Sequence, residues 1–347
     1  MKQVDYIIVG LGIAGISFCE FLKTNNKTFV VFDDASQKSS RVAGGLYNPV
    51  VLKRFTSVWK SKEQLNLALP LYASIEKELQ IKLDYKIPVY RRFASIEEQN
   101  DWFSASDKLG LSGFLSSEII RNNNPYIEAP FGFGKVLQTG RIDVKAMIQA
   151  YKAHLLSQGI LFQESFQYDA LSFSETGVQY EQFSASNVVF SEGYGIKRNP
   201  YFKDLPLNPA KGELLVIYAP QLKIDFVLKS GAFLIPLGDD KYIVGATYEW
   251  KDLSQSPTEC AKEELLNKLQ GLINCSFEVI DQVAGVRPTV KDRRPLVGRH
   301  LVHKQLFVLN GLGTRGVMIG PYVAKQLFDF IENNKPLEKE IDIVRFS

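Results

Sequence analysis

The chain has 347 residues, 45% of them apolar and 23% charged, and a formal net charge of +3. That length exceeds what one hydrophobic core usually fills, so two domains are expected. The composition excludes a disordered or fibrous protein, and the small charge excludes the polycationic body of a bulk nucleic-acid binder. Cys19, Cys260 and Cys275 form no C-x-x-C pair and read as free thiols of a reducing compartment. His154, His300 and His303 are too few and scattered for a histidine-rich metal site. HLVH (300–303) reads as an exposed turn between strands, so no metal is expected. The run YIIVGLGIAGISFCEFL (6–22) contains several glycines and Glu20, lacks a clear cleavage site and is short for a span. A cytoplasmic protein without membrane association is therefore expected.

In chain order, VDYIIV (4–9) is a strand buried on both faces, GLGIAG (10–15) a turn, and the following segment a helix. TFVVF (28–32) is the next strand and ends at Asp33. Residues 61–80 form a long helix that Pro70 is expected to kink. Residues 84–94 give one or two strands, and Ser95 with Glu98 forms a capping box for a short helix. From 122 to 140 the chain is rich in Asn, Pro and Gly and reads as loop. Residues 141–160 form an amphipathic helix with Asp143 as N-cap and Gly159 at its end. Strands follow near 160–166, 170–174, 177–182 and 187–191. Antiparallel strands are then expected at 212–218, 225–228, 231–236 and 241–247. Ser256 is expected to cap a helix with Pro257 first and Glu259 third. VIDQVAGVRPTV (279–290) returns to strand, LFVLN (306–310) precedes a second glycine string, GLGTRG (311–316), and a helix closes the series. IDIV (341–344) allows one more short strand. This order implies a discontinuous nucleotide domain (1–83, 141–200 and 280–347) and a substrate domain made of two insertions (84–140 and 201–279).

Strand, glycine turn, helix, strand and acid compose the βαβ unit of a dinucleotide fold. Gly10 permits the tight turn, Gly12 clears space for a pyrophosphate, and Gly15 lets helix and strand pack closely. The helix N-terminus adds unpaired N–H groups and partial positive charge. Asp33 is placed to accept from ribose hydroxyls, and an acid there favours FAD or NAD over NADP. The motif alone leaves FAD and NAD open, and with them an NAD-dependent dehydrogenase.

VAGGLYNP (42–49), AGVRPTVKDRRPLVG (284–298) and NGLGTRGVMIGP (310–321), with KGELLVI (211–217) and YIVGAT (242–247), resemble the D-amino acid oxidase/glycine oxidase family of FAD-dependent amine oxidoreductases. Within it GGLYNP, the R-P-x-x-x-D-x-x-P-L-V-G string and GLGTRG look most like the tRNA-modifying branch, the oxidase half of the bifunctional 5-methylaminomethyl-2-thiouridine biosynthesis protein. The resemblance implies an α/β fold: a Rossmann-like FAD-binding domain with a discontinuous antiparallel-sheet substrate domain, as in glycine oxidase. It implies one extended FAD, bound without a covalent link because no cysteine occupies the flavin-linking position.

Cofactor contacts are then expected at Gly10, Gly12, Ile13, Ala14, Gly15, Asp33 and Asp34 toward the adenine end. Further contacts are expected at Ala43, Gly44, Gly45, Phe166, Glu192 and Gly193. Around the flavin ring they fall at Arg287, Gly311, Gly313, Thr314, Arg315, Gly316 and Val317. GLGTRG is on this view the flavin end of the same cofactor, where a helix N-terminus favours negative charge. Arg287 is the candidate partner of a substrate carboxylate, with a structural brace as its alternative. Arg315 would contact flavin or carboxylate, or else be a surface charge. Tyr248 would close over the flavin's substrate face, or else simply pack.

The expected activity is oxidation of the C–N bond of a carboxylate-bearing amine such as glycine, sarcosine or a D-amino acid, with hydride transfer to flavin. A carboxymethylaminomethyl group on a tRNA wobble uridine is the alternative substrate. Arg287, Lys291, Arg293, Arg294, Arg299 and Lys304 read either as a solvated basic loop or as a tRNA-contacting rim. The rim would suit a tRNA-binding flavoprotein whose redox role is secondary.

Overall fold

The computed structural model describes residues 1–175 and 177–346. Five parallel strands lie side by side in the first sheet: Leu161–Phe162, Phe29–Phe32, Lys2–Val9, Phe183–Phe190 and Leu306–Asn310. Phe29–Phe32 and Leu306–Asn310 are buried at every position, as a sheet covered on both faces requires. Leu296–Arg299 adds an antiparallel edge, and the Ser172–Phe173 and Val178–Tyr180 pair extends the start of Phe183–Phe190.

Six α-helices are described: α1 (Ile13–Thr24), α2 (Ser61–Leu79), α3 (Ile96–Ser106), α4 (Val144–Ser157), α5 (Glu259–Gln270) and α6 (Gly316–Glu332). α1 packs on α6, and α2 packs on α6 as well. α2 runs through Pro70 without a break. Ser95 accepts from the Glu98 N–H and Asp143 from the Ala146 N–H, so both expected caps form.

The second sheet has eight strands in the order Glu278–Arg287, Ala210–Tyr218, Lys241–Gly245, Phe233–Gly238, Val227–Lys229, Val89–Arg92, Phe133–Val136 and Leu115–Ile120. Its pairings are antiparallel except Val227–Lys229 with Val89–Arg92, where the two insertions meet in parallel. Glu278–Arg287 pairs along its length with Ala210–Tyr218, so the expected boundary at 280 falls inside a strand of this sheet.

Three local expectations are corrected, and the HLVH turn is found as expected. The stretch 122–140 is not all loop: Phe133–Val136 is an interior strand. Its Gly134 faces Trp102 and Phe93 so closely that no side chain fits, which is why the sequence there looks like a turn. Thr258, not Ser256, caps α5, its hydroxyl accepting from the Ala261 N–H. IDIV makes no strand. A single bridge from Asp342 to Val297 is followed by a 3₁₀ turn, Ile343–Phe346. HLVH is a turn in which the His300 ring nitrogen accepts from the Val302 and His303 N–H groups, while His303 stacks on Phe173.

An alanine Cβ at position 134 would lie 2.5 Å from Trp102 Cε2 and 2.7 Å from Phe93 Cζ. Gly134→Ala is expected to cost about 1–3 kcal/mol through overpacking. Urea denaturation would show it as a lower midpoint with an unchanged slope.

Candidate active site

The parallel strands of the first sheet all deliver their carboxyl ends to one edge, the place where open α/β sheets bind ligands. A cavity of about 730 Å³ opens there and continues under the second sheet. Its first wall is the turn after Lys2–Val9. Gly10 has φ +95°, and a Cβ on it would lie 2.6 Å from the Ser191 carbonyl oxygen, so only glycine lets the two strand ends approach. The α1 N-terminus has no side-chain cap from Gly12, which leaves amide groups facing the cavity. The Ile13 N–H donates to Ser40 Oγ at 3.3 Å.

Asp33 lies at the end of Phe29–Phe32. Its carboxylate accepts from the Leu11 N–H at 3.0 Å and forms an ion pair with Lys152 of α4. It is thus held in place with acceptor capacity left for a hydroxyl ligand. Asp34 accepts from the Ser36 N–H at 2.9 Å and Ser165 Oγ at 2.7 Å. Burial raises its pKa, but these hydrogen bonds and Arg198 outweigh that, and the carboxyl stays below its ordinary range. Glu192 accepts from Asn199 Nδ2 at 2.7 Å and from the Tyr168 hydroxyl; burial nevertheless raises its pKa. Phe166 stacks on Tyr180, with ring centroids 4.1 Å apart, and fills the wall beside them.

At the far end, Ala43, Gly44 and Gly45 pass beneath the second sheet. A Cβ on Gly44 would meet Ile235 Cδ1 at 2.9 Å. Arg287, at the last position of Glu278–Arg287, folds over Gly212. It donates to the Thr247 carbonyl at 3.2 Å and the Lys211 carbonyl at 3.4 Å. Its guanidinium carbon lies 4.6 Å from the Tyr248 ring centroid. Arg315 Nη1 donates to the Asn48 carbonyl at 2.6 Å, and Nη2 to the Val50 carbonyl at 3.4 Å. Among the described residues neither arginine has a carboxylate partner. Burial lowers both guanidinium pKa values, with Tyr248 opposing the shift. The Gly313 N–H donates to the Pro288 carbonyl at 3.2 Å, tying GLGTRG to VRP.

Nearly all residues expected from sequence line this one cavity: Gly10, Gly12, Ile13, Ala14, Asp33, Asp34, Ala43, Gly44, Gly45, Phe166, Glu192, Gly193, Tyr248, Arg287, Gly313, Thr314, Arg315, Gly316 and Val317. Two do not. Gly15 and Gly311 lie behind the wall, where a Cβ would strike the Gly10 carbonyl at 2.1 Å and Val290 Cγ2 at 2.6 Å. They are packing glycines. Sequence reading missed Ser40, Lys152, Arg198, Lys229 and Phe233, which also line it. Lys152 is one helix position among many, and only the approach of α4 to Asp33 singles it out.

The two glycine strings therefore serve opposite parts of one cavity. Gly316 and Gly320 of α6 pack against Ile13 of α1, where a Cβ would come within 3.3 Å and 2.9 Å of its side chain. Both helix N-termini consequently face the same space. An extended dinucleotide fits this arrangement: amide donors and a clear Gly12 at one end, a carboxylate for hydroxyl groups beyond, and uncompensated arginines at the other. No cysteine lines the cavity, and no helix among the described residues is long and apolar enough to cross a membrane.

Asp33→Ala removes a carboxylate oriented by two partners and leaves Lys152 unpaired. Dinucleotide affinity is expected to fall about ten- to a hundredfold, the range for a hydrogen bond to a charged group. Loss of bound cofactor on dilution, followed by fluorescence, would measure it.

Comparison with known proteins agrees with this geometry. Glycine oxidase from Bacillus licheniformis is 27% identical, over 98% of this chain and 95% of its own. The crystal structure of glycine oxidase from Geobacillus kaustophilus superposes with a TM-score of 0.79 at 19% identity, over 100% of this chain and 98% of that one. The tRNA 5-methylaminomethyl-2-thiouridine biosynthesis bifunctional protein MnmC of Marinobacter nauticus is 25% identical, over 42% of this chain and 26% of its own. Residues 5–330 match the family model described as FAD dependent oxidoreductase. The chain belongs to that family: it is an FAD-dependent oxidase or dehydrogenase of the glycine oxidase type.

Proposed function

We propose that the protein oxidises the C–N bond of an amine that also carries a carboxylate, using non-covalently bound FAD. The reading rests chiefly on Arg287, a half-buried guanidinium at the substrate-domain end of the cavity whose protein partners are neutral carbonyls. A partly desolvated cation without a counter-ion is costly, and a planar fork is matched by a carboxylate. Glycine oxidases are relatives over almost the whole chain, which supports an amino-acid substrate.

When bound, FAD supplies the acceptor for hydride leaving the carbon next to nitrogen. The protein's own residues orient and enclose. Arg287 fixes the carboxylate, and with it the position of the adjacent C–N bond. Tyr248 covers one face of the guanidinium. The α6 N-terminus and Arg315 make this end of the cavity positive, which favours negative charge there. No strong base is needed if the amine binds neutral.

A second reading places the amine on a tRNA wobble uridine, whose carboxymethylaminomethyl group is an N-substituted glycine. It is favoured by the cavity rim, where Tyr248 and Trp250 are 51% and 58% exposed with rings 6.1 Å apart and nearly parallel. Exposed aromatic faces of this kind suit unstacked bases. Lys291, Arg293, Arg299 and Lys304 are exposed as well. The similarity to part of the Marinobacter nauticus tRNA-modifying protein adds support.

Anaerobic flavin bleaching tests both readings with glycine, sarcosine, D-amino acids, proline, and tRNA from cells blocked in wobble-uridine maturation. Arg287→Ala is expected to raise KM for the active carboxylate-bearing amine about ten- to a hundredfold. An unchanged KM would refute the role of Arg287. Should tRNA be the substrate, its affinity will fall with salt, and Lys291→Ala with Arg299→Ala will flatten that dependence.

A further inference from the structure

Lys229 differs from the other cations around the cavity. It ends the strand Val227–Lys229, in register with Phe233 on one side and Arg91 on the other. It lines the same cavity as Arg287, and its ammonium lies 5.4 Å from the Phe233 ring centroid. Among the described residues it has no ion-pair partner. The charges acting on it are those of Arg91 and Lys268, both positive. Each of these already has an acid of its own: Arg91 Nε donates to Glu98 at 2.8 Å, and Lys268 pairs with Glu264 along α5. Burial, then these two neighbours, bring the Lys229 pKa down to about 8.

Lys211 shows how this fold treats a lysine that is purely structural. It is 1% exposed, lies 2.6 Å from Asp252 and 3.3 Å from Glu213, and donates to Ser254 Oγ at 3.1 Å. Lys229 has nothing comparable, yet it borders open volume. Lys229 is half-buried, and a partly desolvated charge without a partner in a cleft marks a place for an external counter-charge.

We propose that Lys229 binds a second carboxylate of the substrate, so that the cavity selects dicarboxylic amines. This rests on Arg287 holding the first carboxylate. Phe233 and Ile235, which also line the cavity, offer an apolar wall for the carbons between the two anions. One ammonium matches one carboxylate, whereas a phosphate monoester of nearly two charges requires more donors than Lys229 supplies.

The test uses the FAD-loaded protein and matched ligand pairs. Turnover is compared for aspartate with asparagine and glutamate with glutamine, in both enantiomers. Succinate and glutarate are titrated against their monoamides by perturbation of the flavin absorption band, which reads binding without turnover. Wild type is expected to favour the dicarboxylates by about tenfold or more, the scale of a charge-assisted contact. Lys229→Met should abolish that preference while leaving the monoamides unchanged. Dicarboxylate affinity should also fall as pH rises through about 8, where Lys229 loses its charge, and monoamide affinity should not. Equal binding of acid and monoamide by wild type, or a preference that survives in Lys229→Met, overturns the proposal. If Arg287→Ala weakens every ligand and Lys229→Met weakens none, this inference alone fails. If Arg287→Ala weakens none, the assignment of the first carboxylate fails with it.

Discussion

The close crossing of α1 and α6 is the contact on which the site depends. Gly316 and Gly320 let α6 lie directly against Ile13, and a Cβ at Gly320 would force the Ile13 side chain or the helix to shift. Because both helices begin at the carboxyl edge of the same parallel sheet, their N-termini face one crevice. Unpaired N–H groups and partial positive charge are thereby concentrated at two points along a single cavity. A dinucleotide cofactor answers both. Its pyrophosphate suits the first N-terminus, and its electron-accepting ring suits the second.

The second sheet adds charge without counter-charge. Arg287 and Lys229 come from different strands of it, one from the edge strand and one from the interior strand that joins the two insertions. Arg287 is held by carbonyls, and Lys229 only borders an aromatic ring. The Lys211–Glu213–Asp252 group is the opposite case, a buried cation fully paired, where Glu213 also receives the Thr258 and Gln282 side chains. That group anchors the segment carrying Tyr248, since Lys211 and Glu249 exchange backbone hydrogen bonds at 2.7 and 3.0 Å. Stability and function are separated here by only one residue: Lys211 braces, and Gly212 leaves room for the Arg287 guanidinium.

Much of this was legible in the amino-acid sequence. The βαβ unit announced itself through a buried strand, three glycines and Asp33 at the spacing of a dinucleotide turn. Arg287 and Arg315 stood out through the motifs around them. Phe133–Val136 was hidden because Gly134, needed against Trp102, imitates a turn residue. The α5 cap was misread because Ser256, Pro257 and Thr258 all suit a helix start, and the choice fell to Thr258, whose hydroxyl accepts from the Ala261 N–H while its own N–H and hydroxyl donate to Glu213.

By itself the sequence determined the nucleotide-binding unit and most of the order of the elements, because these follow from local periodicity and from glycines where backbone must approach ligand; the type of chemistry was implied by the resemblance that the later motifs carry. Only the tertiary structure decided which charges are satisfied. Lys152 became the partner of Asp33, Lys211 became a brace, and Lys229 was left facing the cavity, although all three are simply lysines in the chain. Pairing is a matter of distance between residues far apart in sequence, and burial sets what a missing partner costs. Neither quantity exists until the two sheets come together.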